Sequence, residues 1–119
     1  VGTVSVTGSA TAYNTSSDYR LKEHITSIQG ASDIVKAMQP VTYTFKSDGS
    51  WHDGFLAHEL QELHPRAVIG SKDEVDEEGN PVYQGVDYSK LTPILTAALQ
   101  EALTKIDELT ARIEALEAV

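Results

Sequence analysis

Apolar residues recur along the last part of the chain at Leu95, Leu99, Ala102, Ile106, Leu109, Ile113 and Leu116, in steps of 4, 3, 4, 3, 4 and 3. That alternation is a heptad seam, with Leu99, Ile106 and Ile113 at a and Leu95, Ala102, Leu109 and Leu116 at d. It predicts a long helix starting near Ser89 or Thr92, with Pro93 tolerated in its first turn. Arg112 at g can reach Glu117 at e of a neighbouring parallel helix. A helix packed on its own domain would also carry an apolar face. The narrowness of the stripe, kept to its last turn, favours self-association. Periodicity leaves dimer and trimer open: isoleucine at a with leucine at d suits two strands. The gap at Ala102, with Ala98 at g and Leu103 at e beside it, suits three.

Upstream the periods are shorter. Val41, Tyr43 and Phe45 alternate with Thr42, Thr44 and Lys46 as a half-buried strand does. Residues 55–57 form a second apolar run, expected to be a strand. Residues 67–69 and 82–86 supply a third and a fourth. Ser32-Asp33 reads as the N-cap of a short helix over 34–38, stopped by Pro40, and residues 59–64 form another, closed by Pro65. Ser47-Asp48-Gly49-Ser50 and Gly79-Asn80-Pro81 are turns. Residues 18–31 look irregular, with Leu21, Ile25 and Ile28 available to pack. The fold class is therefore α+β: a small, mostly antiparallel sheet with short helices and a long C-terminal helix.

Residues 1–17 stand apart. They contain no charged side chain, and Val4 and Val6 alternate with Ser5 and Thr7 as a short β segment. Too little is apolar there for a core. The segment is either a flexible tail or the end of a β-rich fibre.

Charge and composition narrow the function. The net charge of -9 argues against a nucleic-acid partner and against an anionic membrane. No cysteine is present, which removes disulfide and thiolate chemistry. No apolar run is long enough to span a bilayer, and the first residues have neither the basic start nor the apolar block of a signal peptide. In 119 residues of which 40% are hydrophobic, the core is small, and oligomerisation is the usual remedy.

Where the uncharged segment ends, Ser17 precedes Lys22 by five positions. A serine hydroxyl and a lysine amine can act as nucleophile and base. In an α-helix the two would lie about 140° apart, and in a strand on opposite faces. They can meet only across a loop or between subunits. Otherwise Ser17-Asp18 simply caps a turn and Lys22 is solvated. Three further candidates carry less. His58 and His64 are six apart, not the four a zinc helix needs. The acidic run 74–79 puts Gly85 where a calcium loop needs a bidentate glutamate, so a solvated hairpin tip is expected. Trp51 is expected to be a partly buried anchor. No metal and no cofactor is expected.

The wider stretch Ser17-Asp18-Tyr19-Arg20-Leu21-Lys22 resembles the Ser-Asp-x-Arg-Leu-Lys signature of the self-cleaving intramolecular chaperone domain that ends bacteriophage endosialidases, tailspikes and tail fibres. Pro40-Val41-Thr42-Tyr43-Thr44-Phe45 resembles that family's Pro-Val-x-Tyr-x-Phe strand. Gly54-Phe55-Leu56-Ala57-His58-Glu59-Leu60 resembles its Gly-Phe-Ile-Ala-Gln-Glu-Val run, with His58 in place of the commoner glutamine. Val86-Asp87-Tyr88-Ser89-Lys90-Leu91 resembles its Val-Asp-Tyr-x-x-Leu close. The four motifs occur in order from Ser17 onward.

The resemblance implies a homotrimer, its seam a parallel three-helix coiled coil, that folds a preceding fibre stalk of the same polypeptide and then cuts itself free at the Ser16–Ser17 bond. Ser17 is then the nucleophile, Lys22 the general base, and Asp18 and Arg20 positioning residues. Residues 1–16 become the end of the stalk and 17–119 the chaperone, divided into a globule at 17–88 and a helix at 89–119. The expected setting is the host cytoplasm during virion assembly, with the parent protein in the tail. A lysine in water is protonated at neutral pH, so a lysine base needs burial or a nearby cation, and Arg20 is the nearest in sequence. A trimerisation tip that is never cut is the alternative.

Overall fold

A computed structural model describes residues 2–119. The chain opens with an antiparallel hairpin, β1 (Gly2–Val6) on β2 (Thr11–Thr15), in the register Gly2 opposite Thr15 and Val6 opposite Thr11. Every residue of both strands is exposed, Val4, Val6 and Tyr13 included. A linker leads to a single 3-10 turn at Tyr19–Leu21, and an exposed stretch then runs to α1 (Ala31–Ala37). The strands β3 (Val41–Thr44) and β4 (Trp51–Gly54) pair antiparallel, Val41 opposite Gly54. Next come α2 (Ala57–Leu63), a 3-10 turn at Pro65–Ala67, and the two-residue strands β5 (Val68–Ile69) and β6 (Gly85–Val86). A last 3-10 turn, Tyr88–Leu91, feeds α3 (Thr92–Glu117), 26 residues long.

The α+β class holds, but the strands form three separate two-stranded ladders where one small sheet was expected. The apolar run at 55–57 is the reason for part of this. Ladder pairing ends at Gly54, Phe55 and Leu56 pack as coil, and Ala57 already starts α2. Of 82–86, only Gly85 and Val86 pair as a strand. The acidic run is a tip, as expected: Val75 bridges Pro81, and Asp76 Oδ1 accepts from the amides of Glu78 and Asn80, each at 2.9 Å. Trp51 is 72% exposed on β4, not a buried anchor. Beside it His52 of β4, Tyr43 of β3 and Phe45, just past the end of β3, pack on one another instead.

Ser32-Asp33 does not cap α1 from outside. The helix begins at Ala31, three residues before the expected start, after Gly30 at φ 71°, a left-handed conformation that glycine adopts cheaply. The cap comes from α3: the Glu101 carboxylate accepts from the Ser32 amide at 2.9 Å and from the Ser32 hydroxyl.

The core is a single cluster of Ala31, Met38, Leu60, Ala67, Val68, Leu91 and Ile94, with Phe55, Leu63, Val86, Ala97 and Ala98 against it. Leu91 and Ile94 anchor the start of α3 to the globule. Gly54 is fixed here by a neighbour, because the Tyr88 hydroxyl fills the space a Cβ would need. Beyond its first turns α3 leaves the globule. The radius of gyration is 20.0 Å, against about 13.5 Å for a compact chain of this length.

Among the described residues the seam has no partner helix. Its leucines and isoleucines from Leu95 to Leu116 are between 45% and 75% exposed, and Ala102 is exposed too. One detail departs from expectation: Ala98 spends its methyl group on the chain's own core, so it does not widen the free stripe. Leu103 does.

Candidate functional site

The site lies where the hairpin ends. β2 stops at Thr15, and Ser16 and Ser17 form an exposed linker before the turn at Tyr19–Leu21. Asp18 caps that turn, its Oδ1 accepting from the Arg20 amide at 2.9 Å. Two backbone bonds then close successive turns, Leu21 N–H to Asp18 O at 3.0 Å and Lys22 N–H to Tyr19 O at 3.1 Å. The chain is thereby wound back on itself over five residues. Lys22 Nζ ends 2.6 Å from Ser17 Oγ and donates to it. Neither a helix nor a strand would bring the two together, and this irregular turn does so within one chain.

Asp18 and Arg20 hold the turn. Arg20 Nε donates to Asp18 Oδ1 and Nη2 to Oδ2, each at 2.9 Å, a planar two-bond fork that fixes orientation as well as distance. The Arg20 side chain, and after it the Arg20 amide, hold the Asp18 carboxyl below its usual range, against a small opposing effect of desolvation. The same fork raises Arg20 above its ordinary value. Arg20 is thus no bare cation at the site, because its charge is matched by Asp18. The sequence-based idea that it helps Lys22 lose a proton is weakened accordingly.

Around this pair the single chain leaves everything open. Tyr19, Leu21 and Ile25 are exposed apolar side chains. His24 turns the chain at φ 53°, and its Nε2 lies 3.7 Å from Glu23 with no hydrogen bond to Ser17 among the described residues. His58 and His64 do not converge: His64 Nε2 faces the Lys90 carbonyl at 3.3 Å. Among the described residues no group of three or more His, Asp or Glu side chains gathers as a metal site would require. No helix there is long and apolar enough to cross a membrane.

Two features escaped the sequence reading. One is the tie between Ser32 and Glu101, whose partners are remote in sequence and announce nothing. The other had a visible signal. Asp18, Asp48 and Asp87 each accept from the amide two residues on, at 2.9, 2.9 and 3.1 Å. Aspartate followed two positions later by a residue with a free amide is the pattern of an Asx-turn. All three carboxyls are held below their usual range, Asp18 chiefly by the Arg20 side chain, Asp87 chiefly by the Ser89 hydroxyl and Asp48 chiefly by the Ser50 amide.

With the geometry in place, the comparison with known proteins falls on the same boundary. Residues 17–69 match a peptidase family model described as "Chaperone of endosialidase". The match starts at Ser17 itself. A relative, the long tail fiber protein Gp37 of Salmonella phage S16, is 28% identical over 112 residues. That alignment covers 87% of this chain and 14% of the relative, so the chain spans about one seventh of that protein's length.

Proposed function

We propose that this chain is the intramolecular chaperone of a phage tail fibre or tailspike, which assembles as a trimer and then releases itself by cutting the Ser16–Ser17 bond. The observation that carries the reading is the 2.6 Å contact between Lys22 Nζ and Ser17 Oγ, placed at the first residue of the family match. Residues 1–16 are the end of the stalk, 17–88 the chaperone globule and 89–119 the helix of a parallel three-stranded coiled coil. Folding takes place in the host cytoplasm, and the stalk goes on to the virion tail.

The chemistry follows from the atoms. Lys22, unprotonated, takes the proton of Ser17 Oγ. The oxygen attacks the carbonyl carbon of Ser16, the C–N bond breaks, and the Ser17 nitrogen receives the proton. Ser16 is then held as an ester on Ser17. Water hydrolyses that ester, giving a carboxylate at Ser16 and free hydroxyl and amine groups at Ser17. Asp18 and Arg20 touch no reacting atom; they hold the turn that sets the distance.

The environment comes from assembly. An amine sheds its proton more readily once out of water. The exposed Tyr19, Leu21 and Ile25 around the dyad are the kind of surface a neighbouring chain covers. The unpartnered seam supplies the means of bringing chains together. One observation favours the second reading, a trimerisation tip that never cuts. In the lone chain the Arg20 charge is matched by Asp18 and the dyad is open to solvent. Mass spectrometry of the assembled protein separates the two. Cutting yields a fragment starting at Ser17, and an uncut chain in a stable trimer leaves only the structural role.

A further inference from the structure

We propose that the released chain is an N-terminal serine nucleophile, which takes one acyl group from an activated ester and locks it as an amide on its own α-nitrogen. The inference rests on cleavage at Ser16–Ser17, since that step creates the amine.

Three observations carry it. First, the bonds that build the site lie wholly on one side of the cut. The Asp18–Arg20 fork, Leu21 N–H to Asp18 O, Lys22 N–H to Tyr19 O and the Lys22–Ser17 contact all involve residues from 17 onward. Cutting therefore does not dismantle the pair that performed it. Second, what departs is a self-contained hairpin ending at Thr15, so its release opens the side of Ser17 where the Ser16 carbonyl stood. Residues 16–22 are exposed in the single chain, and in the assembly the gap that the hairpin vacates is the way by which a small acyl donor reaches Ser17. Third, cleavage gives Ser17 a free α-amine beside its hydroxyl. That hydroxyl then has two amines within reach, its own and Lys22 Nζ, and an N-terminal amine is an established activator of a neighbouring hydroxyl.

The reaction balances without another reagent. Ser17 Oγ attacks the carbonyl carbon of an aryl ester, the aryl oxygen leaves and takes up the proton as a phenol, and an ester forms on Oγ. The α-nitrogen attacks that ester through a five-membered ring. The C–Oγ bond breaks, the amide C–N bond forms, and the proton lost by nitrogen restores the hydroxyl. The acyl group now sits on nitrogen, where water removes it far more slowly. The amine that would assist a second round is gone. The reaction therefore stops after one turnover per chain.

The test uses the full chain after it has cut itself, with p-nitrophenyl acetate as the probe. The expected result is one nitrophenolate released per cut chain, then none. The fragment starting at Ser17 gains a single acetyl group on its amine, and neutral hydroxylamine, which strips esters, leaves it in place. A free peptide of residues 17–22 has the same amine and hydroxyl without the folded turn. It should react at least about a hundredfold more slowly, the lower range of general-base assistance. Equal rates in peptide and protein, release beyond one equivalent, or a label lost to hydroxylamine would each overturn the proposal. A chain that cuts but takes no label overturns this inference alone, and a chain that never cuts overturns it together with the cleavage reading.

Discussion

The dyad turn and the helix seam differ in how much of each one chain completes. The turn is finished locally: three backbone or cap bonds and one charged fork, all within residues 17–22, set Ser17 Oγ against Lys22 Nζ. The seam is left unfinished among the described residues, since the leucines and isoleucines of its stripe from Leu95 to Leu116 stay between 45% and 75% exposed. Geometry is thus cheap and local, whereas the dyad and the apolar side chains around it stay exposed in the single chain. A site divided in this way can be fully shaped yet silent until assembly.

Removing the chemistry while keeping the shape has the largest expected effect. Ser17→Ala should abolish cutting and leave assembly unchanged. Lys22→Ala should do the same, and Lys22→Arg should not rescue, because a guanidinium cannot give up its proton to serve as base. A denaturing gel over time, with light scattering on the same samples, checks all three. If Lys22→Ala cuts at the parental rate, the local half of the comparison is wrong, and His24 becomes the base to test.

Loosening the shape should cost less. Arg20→Ala removes both arms of the fork but no reacting atom. A misplacement of about 1 Å can lower a rate by roughly a hundredfold, and a loss of that order is expected in the cleavage time course, with the size of the assembly unaltered. An unchanged rate would mean that the backbone bonds alone hold the turn.

Disturbing the globule between the two regions should lower stability and spare the chemistry. Gly54→Ala drives a methyl group into the Tyr88 hydroxyl, and overpacking of this kind costs about 1–3 kcal/mol. Thermal unfolding should shift down while cleavage persists below the new midpoint. The smallest effect concerns acid. The Asp18 carboxyl is held below its usual range by Arg20, so the fork's contribution is complete above the ordinary aspartate value of about 3.9. It is lost as pH falls through the lower folded value. An NMR titration should find the fork intact at pH 5 and opening only in stronger acid.

How legible these features were follows from their range. The seam was readable because heptad spacing is a property of one helix, and α3 starts at Thr92 with Pro93 in its first turn as the pattern required. That Ala98 turns to the core was not readable, since only the packing of Leu91 and Ile94 decides which way the helix faces. The strand at 41–45 appeared nearly in place, as Val41–Thr44. The run at 55–57 misled because three apolar residues fit a strand and a helix start equally well, and tertiary contact with Tyr88 chose. The site was legible as a motif and as an impossibility: regular structure could not join Ser17 to Lys22. The solution, an Asx-capped 3-10 turn, was written in Asp18 and Arg20, whose pairing with each other the sequence reading did not foresee.

The most direct test of assembly-gated cutting changes residues far from the chemistry. Ile106→Asp with Leu109→Asp places like charges in the seam and leaves residues 17–22 untouched. Light scattering should then report single chains, and cleavage followed in the same sample should fall sharply, although Lys22 can still reach Ser17. Single chains that cut at the parental rate would show that one copy completes the site, and the account of a chaperone that cuts only after its chains have aligned would be contradicted.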